Sequence, residues 1–341
     1  MSDGDRRPAG SRGASRAGRG TAATRSGEPR SIARTGDAAL SGILIVGKPA
    51  GPTSHDVVAV VRRLTGVRRV GHGGTLDPFA TGVLPVFVGP ATRMVEYHLG
   101  DAKAYRALVC FGARSTTDDL EGELTPGDGP APDRPAVEQA LPRFLGRIRQ
   151  RPPDYSAVKV AGRRAYDVAR HGGRPEVRER EVEITALDLL AWDDADPARP
   201  TAVLDVHCSA GTYVRSIARD LGDALGCGAY LGSLTRTASG PFTLERATPL
   251  DELRALLGEG RAAERLLPPD AGLDAYPAVS LAPEDLDAIV RGQVVRAPSG
   301  AREAGPDDVV RILDATGGLV AMGRLRAARI HPDKVLVGLT A

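Results

Sequence analysis

Apolar and polar positions change their spacing several times along the chain, and each change marks an element. Residues 42–46 form a continuous apolar run, as in a buried strand, which stops at Gly47-Lys48-Pro49-Ala50-Gly51-Pro52. Ser54 then reads as the cap of a helix, since Val57, Val58, Val61 and Leu64 keep one face and Gly66 follows as its stop. Residues 83–88 predict a second buried strand. Residues 104–111 predict a third, half-buried, with Tyr105, Ala107, Val109 and Phe111 on one face. The stretch 113–135 is acidic and rich in Gly and Pro, so it reads as a loop, followed by a helix over 136–146. Strands are expected at 182–190 and 203–208, the latter with Asp205 and His207 on one face. Thr212 then caps a helix whose Val214, Ile217, Ala218, Leu221 and Leu225 recur at helical spacing and which Gly226 ends. A second unit begins near Ala275-Tyr276-Pro277. It holds a hairpin of 309–313 and 319–325 around Asp314-Ala315-Thr316-Gly317-Gly318, and a strand at 334–339. Strands mixed irregularly with helices favour an α+β architecture over a doubly wound sheet.

Composition narrows the class. With 341 residues, 42% hydrophobic and 4% aromatic, the chain can bury a normal core built from Val, Leu and Ala. No apolar stretch approaches the roughly 18 residues that span a bilayer, and the start lacks an apolar signal region, so no membrane or secretory destination is expected. Three widely spaced cysteines, Cys110, Cys208 and Cys227, read as buried thiols in a reducing cytoplasm rather than as a zinc site. Residues 1–40 carry eight Arg against four acids and almost no large apolar groups, which predicts a disordered basic tail. Residues 147–180 carry ten Lys or Arg against four acids, together with Tyr155, Tyr166 and His171. Such a segment is either a solvated charged face or a grip on a nucleic-acid backbone.

The most informative local pattern is Gly71-His72-Gly73-Gly74-Thr75-Leu76-Asp77-Pro78. It places one carboxylate at the end of a glycine-rich loop and before a proline that withholds it from helical geometry. By itself this is also the pattern of an ordinary Asx-type turn. A dinucleotide fingerprint fails because Leu76 occupies its sixth position, and neither a P-loop nor an H-E-x-x-H helix is present. With histidines scattered, neither a metal nor a cofactor is expected. The chemistry falls to a carboxylate and its neighbours.

Six blocks in fixed order carry a resemblance. They are residues 43–56, the Asp77 loop through Val86, Lys103-Ala104-Tyr105-Arg106, 152–159 and Cys208-Ser209-Ala210-Gly211-Thr212-Tyr213-Val214-Arg215, with Gly232-Ser233-Leu234-Thr235-Arg236-Thr237 following. Together they resemble the bacterial tRNA pseudouridine-55 synthase family over about residues 42–250. One departure is Gly73, where the family usually has threonine. The resemblance implies a largely antiparallel mixed sheet flanked by helices, with a catalytic domain over 41–265 and an RNA-gripping insertion over 147–180. Residues 275–341 resemble a small PUA-like RNA-binding module.

The resemblance also assigns roles. Asp77 is the essential carboxylate, adding to C1′ of the ribose or taking a proton from C2′, with elimination favoured. Arg215 is its expected ion-pair partner in the first turn of a helix, and would otherwise read as a surface arginine. Tyr105 stacks on the flipped uracil, where a strand tyrosine alone would read as core. His72, Lys48, Leu234, Lys159, Arg163 and Arg164 are the expected substrate-binding residues, Lys48 either on a phosphate or buttressing the floor. The implied partner is the TψC arm of tRNA, bound by a cytoplasmic monomer without cofactor. The other reading of the same basic segment is a non-catalytic RNA-binding or tRNA-folding protein. An aspartyl phosphotransferase is disfavoured, because Phe79 stands where a second carboxylate belongs.

Overall fold

The computed structural model describes residues 40–156, 159–160, 163–164, 168, 173, 177–298 and 307–336. The expected basic tail therefore lies outside the described residues, Leu40 apart, as do positions 337–339 of the last predicted strand.

The apolar run at the start of the described chain becomes strand β1 (Gly42–Lys48), followed by helix α1 (Ser54–Thr65). The helix is capped one residue earlier than expected. Thr53 accepts from the Asp56 amide while Asp56 accepts from the Thr53 amide, a closed capping box. Ser54 is unavailable because its hydroxyl pairs with both backbone groups of Leu76, at 2.9 and 3.2 Å. Gly66 ends the helix in the left-handed conformation, as its position predicts.

Strands β2 (Val70–His72), β3 (Thr81–Val88), β4 (Lys103–Phe111), β5 (Gly146–Gln150), β6 (Arg180–Asp193), β7 (Thr201–Cys208) and β8 (Ala229–Ser239) complete the main sheet with β1 and shorter segments. The order runs from the Thr248–Pro249 strand through β1, β3, β8, β4, β7, β6 and β5. Nearly all its neighbours are antiparallel, the α+β arrangement expected from the sequence. The exceptions are β3 with β8, and β1 with Thr248–Pro249. The β3–β8 contact is close: a Cβ on Gly82 would meet the Arg236 carbonyl oxygen at 2.2 Å, and the φ of Gly82 is +105°. Only glycine fits there.

Tyr105, Ala107, Val109 and Phe111 do share one buried face of β4. Helix α2 (Val214–Ala224) covers it with Val214, Ile217, Ala218 and Leu221, each fully or nearly buried. A buried Leu or Ile contributes about 1.5–3 kcal/mol, so this seam is a main source of stability. Two sequence expectations are corrected here. Thr212 does not cap α2, since its hydroxyl donates back to the Ser209 carbonyl at 2.9 Å. Instead the side-chain amide of Gln150, wholly buried at the end of β5, brackets the backbone of Tyr213 through its amide (2.8 Å) and carbonyl (3.1 Å). The loop at 113–135 contains a hairpin of Ala113–Ser115 with Leu124–Pro126. The helix beyond it is shorter than expected: an α-helix over Arg134–Ala140, a 3-10 turn over Leu141–Phe144 containing Pro142, then β5.

A second sheet of five strands follows, ordered Ala278–Ser280, Val309–Leu313, Leu319–Arg326, Arg329–Val335 and Val295–Arg296. The predicted hairpin around Asp314 is present. The final strand starts earlier than expected, directly after Ala327 and Ala328, both left-handed. Met322 and Leu336 of this sheet share an apolar cluster with Ile43, Phe87, Met94 and Phe242 of the first. Among the described residues no helix is long and apolar enough to cross a membrane.

Candidate active site

The loop carrying Asp77 is held from several sides. Lys48, 1% exposed, donates to the carbonyls of Pro49 (2.8 Å), Pro78 (3.1 Å) and Ala80 (2.7 Å). Its ammonium is thereby satisfied, and burial lowers its pKa to about 8. Of its two expected places, on a phosphate or beneath the loop, the geometry is that of the second, with three loop carbonyls on its ammonium. On another side, Arg236 on β8 donates to the carbonyls of Val83 (2.7 Å) and Gly74 (3.1 Å). Alternation with Leu234 along β8 is the sequence signal that places Arg236 on the same inward face.

Asp77 stands with a third of its side-chain surface open to a cleft of about 730 Å³. Arg215, in the first turn of α2 and 5% exposed, meets its carboxylate at 3.0 Å. The same guanidinium reaches Asp119 at 3.1 Å and the carbonyls of Thr117 and Tyr155. Asp119, 2% exposed, accepts further bonds from Thr117 and from the Glu121 amide. Asp119 was missed because it lies in a stretch whose acidity and glycine content read only as a loop. Beside it, Asp118 pairs with Arg219, one turn further along α2, at 2.8 Å. Two arginines on one helix face therefore hold two consecutive aspartates.

Burial pushes the Asp77 carboxyl up from its ordinary value. Arg215 is the largest opposing influence; Asp119 adds to the rise and Lys48 reduces it. Its open side limits that rise, and the permanent charge of Arg215 keeps an ionised partner at hand.

Of the remaining expected residues, the cleft brings together Tyr105 and Leu234. Tyr105, 9% exposed, and Leu234, 7% exposed, line it with Arg236 against the phenol. Burial raises the Tyr105 pKa, so the phenol is neutral at physiological pH. Tyr213 lines the opposite side beneath Arg180, whose guanidinium carbon sits 4.4 Å from the ring centre. His72 is set back: its ring meets His55 edge-on at 5.3 Å, and His55 is the histidine that lines the cleft. Burial lowers the His72 pKa to about 4, so its imidazole is neutral at physiological pH. Lys159 and Arg164 face each other across a short hairpin with Val160 and Arg163. The side chains of Lys159, Arg163 and Arg164 lie outside the described residues.

Gly73 now has a spatial account. A Cβ there would approach Phe87 to 3.0 Å, so the buried phenylalanine occupies the room a threonine would need. Among the described residues no group of three His, Cys, Asp or Glu is arranged to hold a metal ion.

Comparison with known proteins gives the same picture. Residues 62–214 match the model described as "TruB family pseudouridylate synthase (N terminal domain)", and residues 215–274 match "tRNA pseudouridylate synthase B C-terminal domain". The tRNA pseudouridine synthase B of Synechococcus elongatus is 44% identical over 87% of this chain and 99% of its own length. That of Gloeobacter violaceus is 49% identical over 72% of this chain and 82% of its own. Among solved structures, a Cbf5-Nop10-Gar1 complex matches with TM-score 0.65 and 28% identity, covering 87% of this chain and 85% of that one. With an aspartate–arginine pair seated over a tyrosine-lined cleft and identity of this extent along nearly the whole of its relatives, the chain belongs to the TruB family of pseudouridylate synthases.

Proposed function

We propose that this synthase converts uridine 55 in the TψC loop of tRNA to pseudouridine, with Asp77 as the group that acts on the ribose. The observation that carries the reading is the 3.0 Å pair of Asp77 and Arg215 in a cleft also lined by Tyr105 and Leu234. A carboxylate so placed meets the sugar of a nucleotide extruded from its stack, while the ring beneath it receives the base. Extrusion costs a few kcal/mol, which phosphate contacts outside the cleft supply. The basic segment at 147–180, with Lys159, Arg163 and Arg164, is the proposed grip.

The raised pKa of Asp77 favours proton transfer. A carboxylate made more basic by burial removes the C2′ proton more readily, giving a glycal and free uracil. The base rotates, C5 bonds to C1′ as the proton held by Asp77 returns to C2′, and transfer of the C5 proton to N1 through solvent completes an isomerisation with no change in oxidation state. Arg215 aligns the carboxylate; Asp119 and the Thr117 and Tyr155 carbonyls fix Arg215 in turn. His72 orders the loop next to His55, and Lys48 holds its floor. The protein acts in the cytoplasm as a monomer. Chemical mapping of pseudouridine on tRNA incubated with purified protein and no added metal tests the reading. Modification confined to position 55 supports it; an unmodified transcript contradicts it.

A further inference from the structure

Breaking the C1′–N1 bond leaves an electron pair on the uracil, whichever way Asp77 acts. In elimination the C2′–H pair becomes the C1′=C2′ bond, the C1′–N1 pair departs with the base, and Asp77 takes the proton. In direct attack an Asp77 oxygen bonds to C1′ and the same pair departs. Either way one negative charge moves from the carboxylate to the detached base, which leaves as a uracilate. A low-dielectric cleft stabilises such an anion only through a preorganised donor or cation.

The cations lining the cleft differ in what they can offer. Arg215 is committed to two carboxylates and two carbonyls. Arg236 is committed to backbone carbonyls of β3 and the Asp77 loop. Arg180 stacks on Tyr213 and donates to the Gly211 carbonyl. Lys103 lies two residues before Tyr105 on β4, with both side chains buried, and it lines the same cleft. An ammonium has three N–H donors. Among the described residues the Lys103 ammonium has one acceptor, the Asp101 carbonyl at 2.6 Å. Its stem passes the backbone of Gly74, where an added Cβ would stand 3.9 Å from the Lys103 Cε. Lys103 and Tyr105, two residues apart on β4, lie on the same face of the sheet and line the same cleft.

We propose that Lys103 is the leaving-group cation of this enzyme, its ammonium donating to a carbonyl oxygen of the uracil and offsetting the charge that develops there. The proposal rests on the synthase reading above. Burial supports a strong interaction, because the ammonium of a residue only 7% exposed is poorly hydrated and gains more from an anion than that of a surface lysine does. The groups facing it are Asp101 from the preceding turn, Arg236 from β8 and Cys208 from β7. Of these, Cys208 stays a neutral thiol, its pKa raised by burial to about 11.

The test uses full-length protein and two tRNA transcripts, one with uridine and one with 5-fluorouridine at the target position. Cleavage of the C1′–N1 bond is followed by chromatography of digested nucleosides. Fluorine makes the departing base more acidic, so its departure depends less on a cation. Lys103→Met should lower the single-turnover rate on uridine ~10²–10³-fold, lower the rate on 5-fluorouridine by a clearly smaller factor, and leave tRNA affinity within about twofold of wild type. Lys103→Arg, which keeps the charge, should keep the wild-type ratio between the two transcripts. Should the apolar variant not fold, Lys103→Gln is read in the same way. Equal losses on both transcripts would overturn the proposal and assign Lys103 to packing; unchanged turnover would overturn it outright. A wild-type protein that modifies neither transcript would instead defeat the synthase reading.

Discussion

A single guanidinium, that of Arg215, meets two carboxylates that do different work. Asp77 faces the cleft, while Asp119 is buried behind it and has no open side. Asp119→Asn keeps the shape but removes the charge that orients Arg215. The expected result is a kcat about 10–100-fold lower with KM little changed, because the loss is of alignment rather than binding. A KM effect without a kcat effect would contradict it. The pH profile is a second check at this scale. Asp77 must be ionised to act, so turnover is present above its pKa and lost as pH falls through it. That midpoint should lie above the ordinary carboxylate value of 3.8, because burial raises it. Lys103 must be protonated to act, so turnover should fall as pH rises past about 8. Lys48 titrates in the same window. Lys103→Arg separates the two: an alkaline limb that moves upward belongs to Lys103, and one that stays belongs to Lys48. His72, neutral above about 4, contributes to neither limb near neutrality.

At the scale of elements, the Asp77 loop is fixed by what packs beneath it. Phe87 on β3 fills the space beside Gly73, and its ring lies 5.4 Å from that of His98. Gly73→Thr should therefore destabilise the protein by about 1–3 kcal/mol through overpacking, measured by chemical denaturation. Adding Phe87→Leu should recover part of that loss. A threonine tolerated beside the intact phenylalanine would contradict this account. Hydrophobic patterning made β1, α1, β4 and α2 legible in the sequence, β1 as an unbroken apolar run buried on both faces and the others because each buries one regular set of apolar positions. Cap identities were not legible. Ser54 and Thr212 have the right chemistry, but the distant Leu76 engages one hydroxyl and the carbonyl of Ser209, in the turn just before the helix, engages the other. The parallel β3–β8 contact was equally hidden, since a pairing across about 150 residues leaves no local trace beyond Gly82. At the site, Asp77, Arg215, Tyr105 and Leu234 were found because their blocks resemble a family. Asp119 was not, because a lone aspartate in an acidic loop has no distinguishing spacing.

Considered whole, the molecule joins two sheets through one apolar cluster. Met322, fully buried in the second sheet, contacts the group formed by Ile43, Phe87 and Phe242 of the first. Tyr97 donates to Asp333 at 3.2 Å and Lys334 meets Glu96 at 3.1 Å along the same seam. The exposed ion pair adds little, so the cluster carries the docking. Met322→Ala should cost about 2–5 kcal/mol and shift a single unfolding transition seen by calorimetry. Two separate transitions would show that the sheets unfold independently. The proposed function likewise distributes grip and chemistry over the molecule, assigning RNA binding to the basic segment and the reaction to one carboxylate. The most direct test of that division is Asp77→Asn, assayed for pseudouridine at position 55 and for tRNA binding in parallel. The account predicts no detectable product with affinity within about twofold of wild type, since the variant removes one charge that faces the ribose and no part of the grip. Product formed by the variant at a rate near that of the wild type would contradict it.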